Sequence, residues 1–235
     1  MNEHISSAYD RDLDAIQTLV IKMGGLVEDA ILSAAKSLET RDTQLADRVR
    51  ADDKVIDALE LQINEEAARV IALRAPVSKD LRAILTVLRI AASLERIGDY
   101  AKNMAKRTGT LVDMPQIAGS DAALRRMARE VQSMLKDMLD AYLRRDAVLA
   151  EDVRQRDHEI DQMYNALFRE FLTFMMEDPR NITTCMHLHF MAKNVERMGD
   201  LVTNMAEQVI YLVTGEMPEE ARPKGDKTSF VTDVT

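Results

Sequence analysis

The chain has 235 residues, of which 40 are acidic and 31 basic, so its formal net charge is −9 with neutral histidines. Its 8 glycines and 5 prolines are far fewer than the roughly 28 of average usage, which leaves little room for the turns of a sheet protein. The composition therefore predicts an all-α protein with long helices. The acidic balance argues against a nucleic-acid partner, which normally meets a basic face. A single cysteine, Cys185, excludes an internal disulfide and suits a reducing compartment.

The sequence shows neither a secretory signal nor a membrane span. Residues 1–12 are polar and charged, unlike a signal peptide. The longest run without Lys, Arg, Asp or Glu is 181–192, which is short of the ~20 apolar residues that a spanning helix needs. We therefore expect a soluble, cytoplasmic protein.

Three amphipathic helices are predicted in the first half of the chain. From residue 12, apolar residues recur at the three-four spacing of a helix, and a second such run covers 45–75. A third run follows Pro76, with Ser78 as the expected N-cap, and ends near Arg107. Residues 108–120 contain two glycines and a proline and are predicted to be a linker.

The helical pattern begins again after this linker. Helices are predicted over 121–144, 146–176 and 181–214, and residues 215–235 read as a mobile tail because they combine proline, glycine and charge with little apolar content. The predicted organisation is a first three-helix repeat (1–107), a linker (108–120), a second three-helix repeat (121–214) and the tail (215–235).

Two acidic motifs occur once in each half and show that the halves are repeats. An Asp-x-x-x-Asp pair recurs 104 positions later, and a Glu-Arg-x-Gly-Asp-x-x-x-Asn motif recurs 101 positions later. The first motif comprises Asp53 and Asp57, then Asp157 and Asp161; the second comprises Glu95, Asp99 and Asn103, then Glu196, Asp200 and Asn204.

Within each half, the motifs lie at matching distances from a proline that marks a helix-helix turn. Asp57 is 19 residues before Pro76 and Glu95 is 19 after it; around Pro179 the corresponding distances are 18 and 17. A hairpin would therefore bring four carboxylates together in each half. Because such a cluster is destabilising unless it is neutralised, we expect cations there, and all-oxygen ligands suit Mg, Ca, Mn or iron. Asn103 and Asn204 lie one turn farther on and are candidates for additional ligands.

This ordered set of motifs resembles the PhoU family of phosphate-transport regulatory proteins, over residues 5–216. The resemblance implies an all-α fold of two homologous antiparallel three-helix bundles packed side by side, with multinuclear iron or zinc clusters on the acidic faces. The first cluster would use Asp53, Asp57, Glu95 and Asp99. The second would use Asp157, Asp161, Glu196 and Asp200.

The resemblance also implies a regulatory role without catalysis. Members of the family act in the cytoplasm on the ATPase subunit of the phosphate ABC transporter and on the sensor histidine kinase of the phosphate two-component system. They restrain phosphate uptake and the phosphate-starvation (Pho) regulon when phosphate is plentiful, and they meet the membrane only through these partners. On this basis a metal-binding homodimer is expected.

Two other interpretations stay open on the sequence alone. The carboxylates would also suit a metalloenzyme, such as a phosphohydrolase or an oxidase, although no general base or substrate-binding loop is recognisable. Alternatively, the chain is a purely structural helical scaffold whose acidic residues serve only solubility.

Overall fold

Six long helices make up the part of the chain that the structure describes. The computed structural model describes residues 2–218, with side chains from residue 8 onward. The helices are α1 (Asn2–Thr40), α2 (Thr43–Arg74), α3 (Lys79–Leu111), α4 (Ser120–Arg144), α5 (Ala147–Glu177) and α6 (Ile182–Thr214), with a short 3-10 turn at Pro179–Asn181. No strand occurs between residues 2 and 218, so the predicted all-α class is confirmed.

The α1–α2 and α4–α5 junctions are built in the same way. Arg41 and Arg145 both have a φ of 52°, a left-handed conformation that reverses the chain between two helices. The next residue is an aspartate in each case. The Asp42 carboxylate accepts a hydrogen bond from the Leu45 amide, and Asp146 caps the first turn of α5 likewise. These caps satisfy amide groups that have no partner within the helix.

The α3–α4 connection is shorter than the predicted linker. Helix α3 continues to Leu111 because Thr108 is buried and its hydroxyl pairs with that of Ser37, 3.1 Å away. The connecting residues are therefore 112–119 rather than 108–120. The Arg41 guanidinium donates to the carbonyl oxygens of Leu111, Val112 and Met114, and so ties this end of α3 to the α1–α2 turn.

The remaining helix ends agree with the pattern to within a few residues, with one exception. Helix α1 begins ten residues earlier than predicted, at Asn2. Ser78 does precede α3, but its side chain makes no capping hydrogen bond. Of the predicted tail, only residues 215–218 belong to the described part of the chain, and residues 219–235 lie outside it.

The helices form two three-helix bundles that share one core. Helices α1, α2 and α3 pack together, as do α4, α5 and α6, and the halves meet where α1 packs on α4 and α3 packs on α6. The resulting core is aliphatic and rich in methionine, a flexible side chain that fills irregular spaces well. None of the helices described between residues 2 and 218 has an apolar stretch of the kind that a membrane crossing needs.

Two candidate carboxylate sites

The first candidate site lies between α2 and α3, where the hairpin places its four predicted carboxylates on two facing helices. Asp53 on α2 is buried, with only 3% of its surface exposed, whereas Asp57 is exposed and Glu95 and Asp99 on α3 are half-buried. Burial raises the pKa of Glu95 above its ordinary value, and neighbouring carboxylates raise it further. In order of effect, these neighbours are Asp99, Glu60, Asp57 and Asp53.

A lysine of the chain itself neutralises part of this first site. The Lys102 Nζ atom lies 2.5 Å from Asp53 Oδ2 and 3.1 Å from Asp99 Oδ1, so it bridges α2 and α3. Donation to Asp53 and Asp99 raises the pKa of Lys102 well above its ordinary value. Burial still holds the pKa of Asp53 above its ordinary value, although the Lys102 hydrogen bond acts in the opposite direction.

One oxygen of the buried Asp53 carboxylate has no hydrogen-bond partner. This atom, Oδ1, is inaccessible to solvent, and it lies 3.5 Å from the position that a Cβ at Gly98 would occupy. A pocket of about 110 Å³ adjoins it, with Asp29 and Asp52 among its other lining residues. A buried acceptor without a donor costs free energy, so this oxygen is a natural ligand for a cation.

The second candidate site lies between α5 and α6 and buries a different member of its quartet. Here Glu196 on α6 is 7% exposed, while Asp157, Asp161 and Asp200 are half-buried. Burial raises the pKa of Glu196 above its ordinary value; a hydrogen bond from Lys193 opposes this, and Asp200 and Asp161 add to it. Lys193 Nζ is 2.7 Å from Glu196 Oε1, but the other oxygen, Oε2, is buried without a hydrogen-bond partner.

The two sites share a close approach of their helices at a glycine. A Cβ added at Gly98 would lie 3.1 Å from the nearest Ile56 atom, and one at Gly199 would lie 3.3 Å from the nearest Ile160 atom. At Gly199 the Asp157 Oδ1 atom is 3.6 Å from that position, so Asp157 also faces α6. The recurring glycines therefore let α2 approach the acidic motif of α3, and let α5 approach that of α6.

Sequence reasoning missed the two lysines. Lys102 follows Asp99 by three residues and Lys193 precedes Glu196 by three, a spacing that places charges side by side on a helix, so the signal was available. Asn103 and Asn204, predicted as additional ligands, occupy exposed positions one turn beyond the acidic motifs.

The ligand atoms of both sites are of the type that a hard cation prefers. Their positions, however, do not form a complete coordination shell. Each site has several carboxylates and one buried, unpartnered oxygen, which favours Mg, Mn, Ca or iron. Among the side chains described, those of residues 8–218, no three His, Cys, Asp or Glu stand close enough to hold an ion in their present positions. At the first site, a metal would also have to displace the Lys102 ammonium from Asp53.

The two halves of the chain also match a known domain family. The model of the PhoU domain matches this chain twice, over residues 20–108 and 124–209, so that each match contains one carboxylate site. The chain belongs to the PhoU family. The PhoU membership predicted from the acidic motifs is thereby confirmed, as is the predicted fold of two homologous bundles.

Relatives in the PhoU family match the chain along nearly all of its length. A protein of Rhizobium meliloti named "Phosphate-specific transport system accessory protein PhoU homolog" is 45% identical over 99% of this chain and 98% of its own. The homologue of the same name from Xylella fastidiosa is 46% identical over 98% of this chain and 95% of its own.

Crystal structures of PhoU proteins have the same fold. The structure of PhoU from Pseudomonas aeruginosa superposes with a TM-score of 0.85 at 38% identity, covering 88% of this chain and all of that one. The phosphate transport system regulatory protein PhoU from Streptococcus pneumoniae gives a TM-score of 0.84 at 29% identity, covering 90% of this chain and all of that one.

Proposed function

We propose that this protein is an accessory regulator of phosphate transport, with a regulatory rather than a catalytic role. The observation that carries the proposal is the similarity, over nearly the whole chain, to proteins named as phosphate-specific transport system accessory proteins. The fold is consistent with that role, because its long helices offer extended surfaces to other proteins.

The proposed partners are the ATPase subunit of the phosphate ABC transporter and the phosphate-sensing histidine kinase. Acting on both from the cytoplasm, the protein would restrain phosphate uptake and repress the Pho regulon when phosphate is plentiful. We further propose that it works as a homodimer and reaches the membrane only through these partners.

Metal binding at the two carboxylate sites is the second part of the proposal. The eight carboxylates would hold iron, zinc, Mg, Mn or Ca, with Asn103 and Asn204 as additional ligands. The buried oxygens of Asp53 and Glu196 support this. Each lacks a hydrogen-bond donor, and a bound cation would take the place that such a donor would occupy. A bound ion would neutralise each acidic cluster and fix the distance between its two helices.

A deletion strain grown in phosphate-rich medium tests the regulatory role. We expect a phosphate-starvation reporter to be expressed in this strain and to be repressed again by the wild-type gene on a plasmid. Unchanged reporter expression on deletion would refute the assignment. Steady hydrolysis of a phosphate ester by the purified protein would instead favour a metalloenzyme.

Neutralising one site at a time tests the role of metal. The first-site variant carries Asp53→Asn, Asp57→Asn, Glu95→Gln and Asp99→Asn; the second carries Asp157→Asn, Asp161→Asn, Glu196→Gln and Asp200→Asn. A control with Asp10→Asn and Asp14→Asn removes an exposed pair of the same spacing outside both sites. Elemental analysis of protein purified without a metal-affinity tag should show less metal in the two site variants than in the control.

The same variants connect metal to regulation. We expect each site variant to repress the reporter less well than the control does. If repression stays complete after metal is lost, the ions are not required for regulation. If native wild-type protein contains no metal, the carboxylates serve only structure or solubility.

A further inference from the structure

A row of arginines follows the surface where α3 and α6 pack against each other. We call this surface the arginine seam. It comprises Arg82, Arg89 and Arg107 of α3 and Arg197 of α6, which contact the facing helix. Arg96 is assigned to it because it follows Arg89 by seven residues and so lies on the same face of α3. Arg89, Arg96 and Arg197 are exposed, and the other two are half-buried. A basic strip of this kind stands out in a protein whose net charge is −9.

Neutral side chains of the opposite helix orient most of these guanidinium groups. Arg89 Nη1 donates to Gln208 Oε1 over 2.8 Å, and the Arg197 guanidinium lies 6.0 Å from the Tyr100 ring centre. With the two arginines at the ends of the seam, four of the five contact the facing helix. No salt bridge within residues 8–218 involves any member of the seam.

The two ends of the seam are held in the same manner. The Arg107 guanidinium lies 4.5 Å from the Phe190 ring centre, and Arg82 lies 5.1 Å from the Tyr211 ring centre. Stacking on a ring or bonding to an amide fixes the direction of a guanidinium without neutralising its charge. Four arginines of the seam are therefore oriented cations whose capacity to bind a carboxylate is unused.

The spacing of the arginines matches the repeat of an α-helix. Arg82, Arg89 and Arg96 are seven residues apart, which corresponds to about 10.5 Å along the helix axis. A second helix lying along the seam would present a side chain at the same interval. Carboxylates at every seventh position of that helix would each meet one guanidinium and form charge-assisted, bidentate hydrogen bonds.

One end of the seam continues into an exposed apolar stripe on α6. Ile182, Met186 and Phe190 follow one another at four-residue spacing, and they are 45%, 39% and 45% exposed. Leu172 and Met176 of α5 are also exposed near this end of the bundle. Arginine, methionine and phenylalanine are the residue types that are enriched in protein interfaces, and methionine adapts to different apolar partners.

We propose that the arginine seam and this apolar stripe form the docking site for an acidic amphipathic helix of a partner protein. The partner helix places carboxylates against the arginines and apolar side chains against Met186 and Phe190. The inference rests on the proposed regulatory function, since it identifies the surface through which the protein contacts what it regulates.

A helix suits this surface better than a flat anionic surface does. The carboxylate sites flank the seam on both sides, at the α2–α3 and α5–α6 boundaries, so a membrane or another broad anionic surface would face both clusters as well. The basic strip between them spans only two packed helices, whose axes lie about 10 Å apart. A single helix of about that diameter contacts the arginines alone.

A designed peptide tests the docking chemistry directly. The probe is a 28-residue fluorescent helix with Glu at every seventh position and a Leu/Ile stripe over its last three turns; its counterpart carries Lys in place of those Glu residues. Fluorescence anisotropy with the full chain should show saturable binding of the Glu peptide only, weakened by added NaCl. Equal binding of both peptides, or of neither, would overturn the proposal.

Matched variants locate the binding. Arg89→Glu, Arg96→Glu and Arg197→Glu together should weaken the Glu peptide at least about tenfold. The control carries Arg48→Glu, Arg126→Glu and Arg129→Glu, which reverse three exposed arginines outside the seam, and should stay within about twofold of wild type. Met186→Ser with Phe190→Ser should weaken the peptide without changing its salt dependence. Circular dichroism and light scattering establish that each variant is folded and show its oligomeric state.

Three other results would contradict the docking site. The first is an equal weakening of peptide binding by the seam and control variants. The second is a change of oligomeric state in the seam variant, which would assign the surface to a second copy of the chain. The third is seam-dependent binding to phosphatidylglycerol vesicles in place of the peptide. The reporter strain separates this inference from the proposed function. If wild type restores repression and the seam variant does so equally well, the docking surface is wrong while the function stands; if wild type fails, the function itself is wrong.

Discussion

The two carboxylate sites have the same quartet of acidic residues, yet each buries a different member. In the first half the buried carboxylate is Asp53, on the second helix of the repeat; in the second half it is Glu196, on the third helix. The position of the lysine relative to the acidic motif also differs between the halves. Lys102 follows the acidic motif of α3, whereas Lys193 precedes that of α6. In each half, the buried carboxylate is one that the lysine bonds.

This difference shows that the buried carboxylate of each half is accompanied by a lysine placed to bond it, although Lys102 also bonds the half-buried Asp99. An ionised carboxylate can leave water only if a cation or several donors compensate it. The positions equivalent to the lysines are Thr203 in the second half and Ala92 in the first, so neither half has the cation of the other. A repeated acidic motif can thus be compensated by lysines at two different positions.

Removing one lysine gives the largest expected effect. We expect Lys102→Met to lower the free energy of unfolding by about 2 kcal/mol, less than the loss of a fully buried partner costs, because the Lys102 side chain is 40% exposed. Asp53→Asn should recover most of the loss, and Glu95→Gln should not. Urea unfolding of metal-free protein measures this, with the exposed Lys106→Met as the control. Equal rescue by both substitutions would show that the lysine does not serve Asp53 in particular.

The same lysine should oppose metal binding at the first site. A metal competes with the Lys102 ammonium for Asp53 and Asp99, so Lys102→Met is expected to tighten Mn²⁺ binding at this site roughly tenfold. Titration calorimetry on a protein whose second site carries Asp157→Asn and Asp161→Asn isolates the effect. Weaker binding in Lys102→Met would mean that the lysine orders the ligands and does not compete with the ion.

The buried Glu196 should make the second site sensitive to pH. Burial raises its pKa in the folded protein above the ordinary 4.5, so the folded state holds this proton more tightly than the unfolded state does. Its contribution to stability is therefore greatest below pH 4.5 and is lost as pH rises through the folded pKa. In metal-free protein, Glu196→Gln should therefore gain stability relative to wild type as pH rises from 4.5 to 7, because glutamine has no proton to lose.

Urea unfolding followed by circular dichroism at several pH values provides that measurement. The exposed Glu159→Gln on α5 is the control, and its difference from wild type should not change with pH. A difference between Glu196→Gln and wild type that is constant from pH 4.5 to pH 7 would contradict burial of the charge.

The glycines at the two helix contacts give the smallest expected difference. Alanine gains about 1 kcal/mol over glycine within a helix, but its Cβ must fit against Ile56 at Gly98 or Ile160 at Gly199. Because the space is tighter at Gly98, 3.1 Å against 3.3 Å, we expect Gly98→Ala to be less stable than Gly199→Ala by under about 1 kcal/mol. Thermal unfolding of both variants tests the order, and the reverse order would show that the first site relaxes more easily.

Much of the fold follows from local pattern. The three-four spacing of apolar residues and the helix-breaking prolines predicted six helices. Both signals depend only on residues that are close together in the chain. The end of α3 was predicted too early, at residue 107 instead of Leu111. Thr108 is held inside by Ser37, far away in the chain, and no local pattern contains that contact.

The candidate sites were only partly predictable. Counting residues from Pro76 and Pro179 correctly indicated that the acidic motifs of each half face one another, since two antiparallel helices align positions at equal distances from their turn. The count gave no indication that Asp53 and Glu196 would be the buried carboxylates. Burial depends on how tightly two helices approach and on which neighbour covers each side chain, and these are properties of packing.

The sequence by itself therefore determined the helical class, the internal repeat and the pairing of its acidic motifs. Each of these depends on residue spacing along one helix or one hairpin. Only the tertiary structure decided which carboxylate is compensated by lysine and which arginines line the α3–α6 seam. Both require side chains from helices that are distant in the chain to meet: Lys102 reaches Asp53, and Arg89 reaches Gln208. The physical reason is that charge compensation acts through space, whereas periodicity acts along the chain.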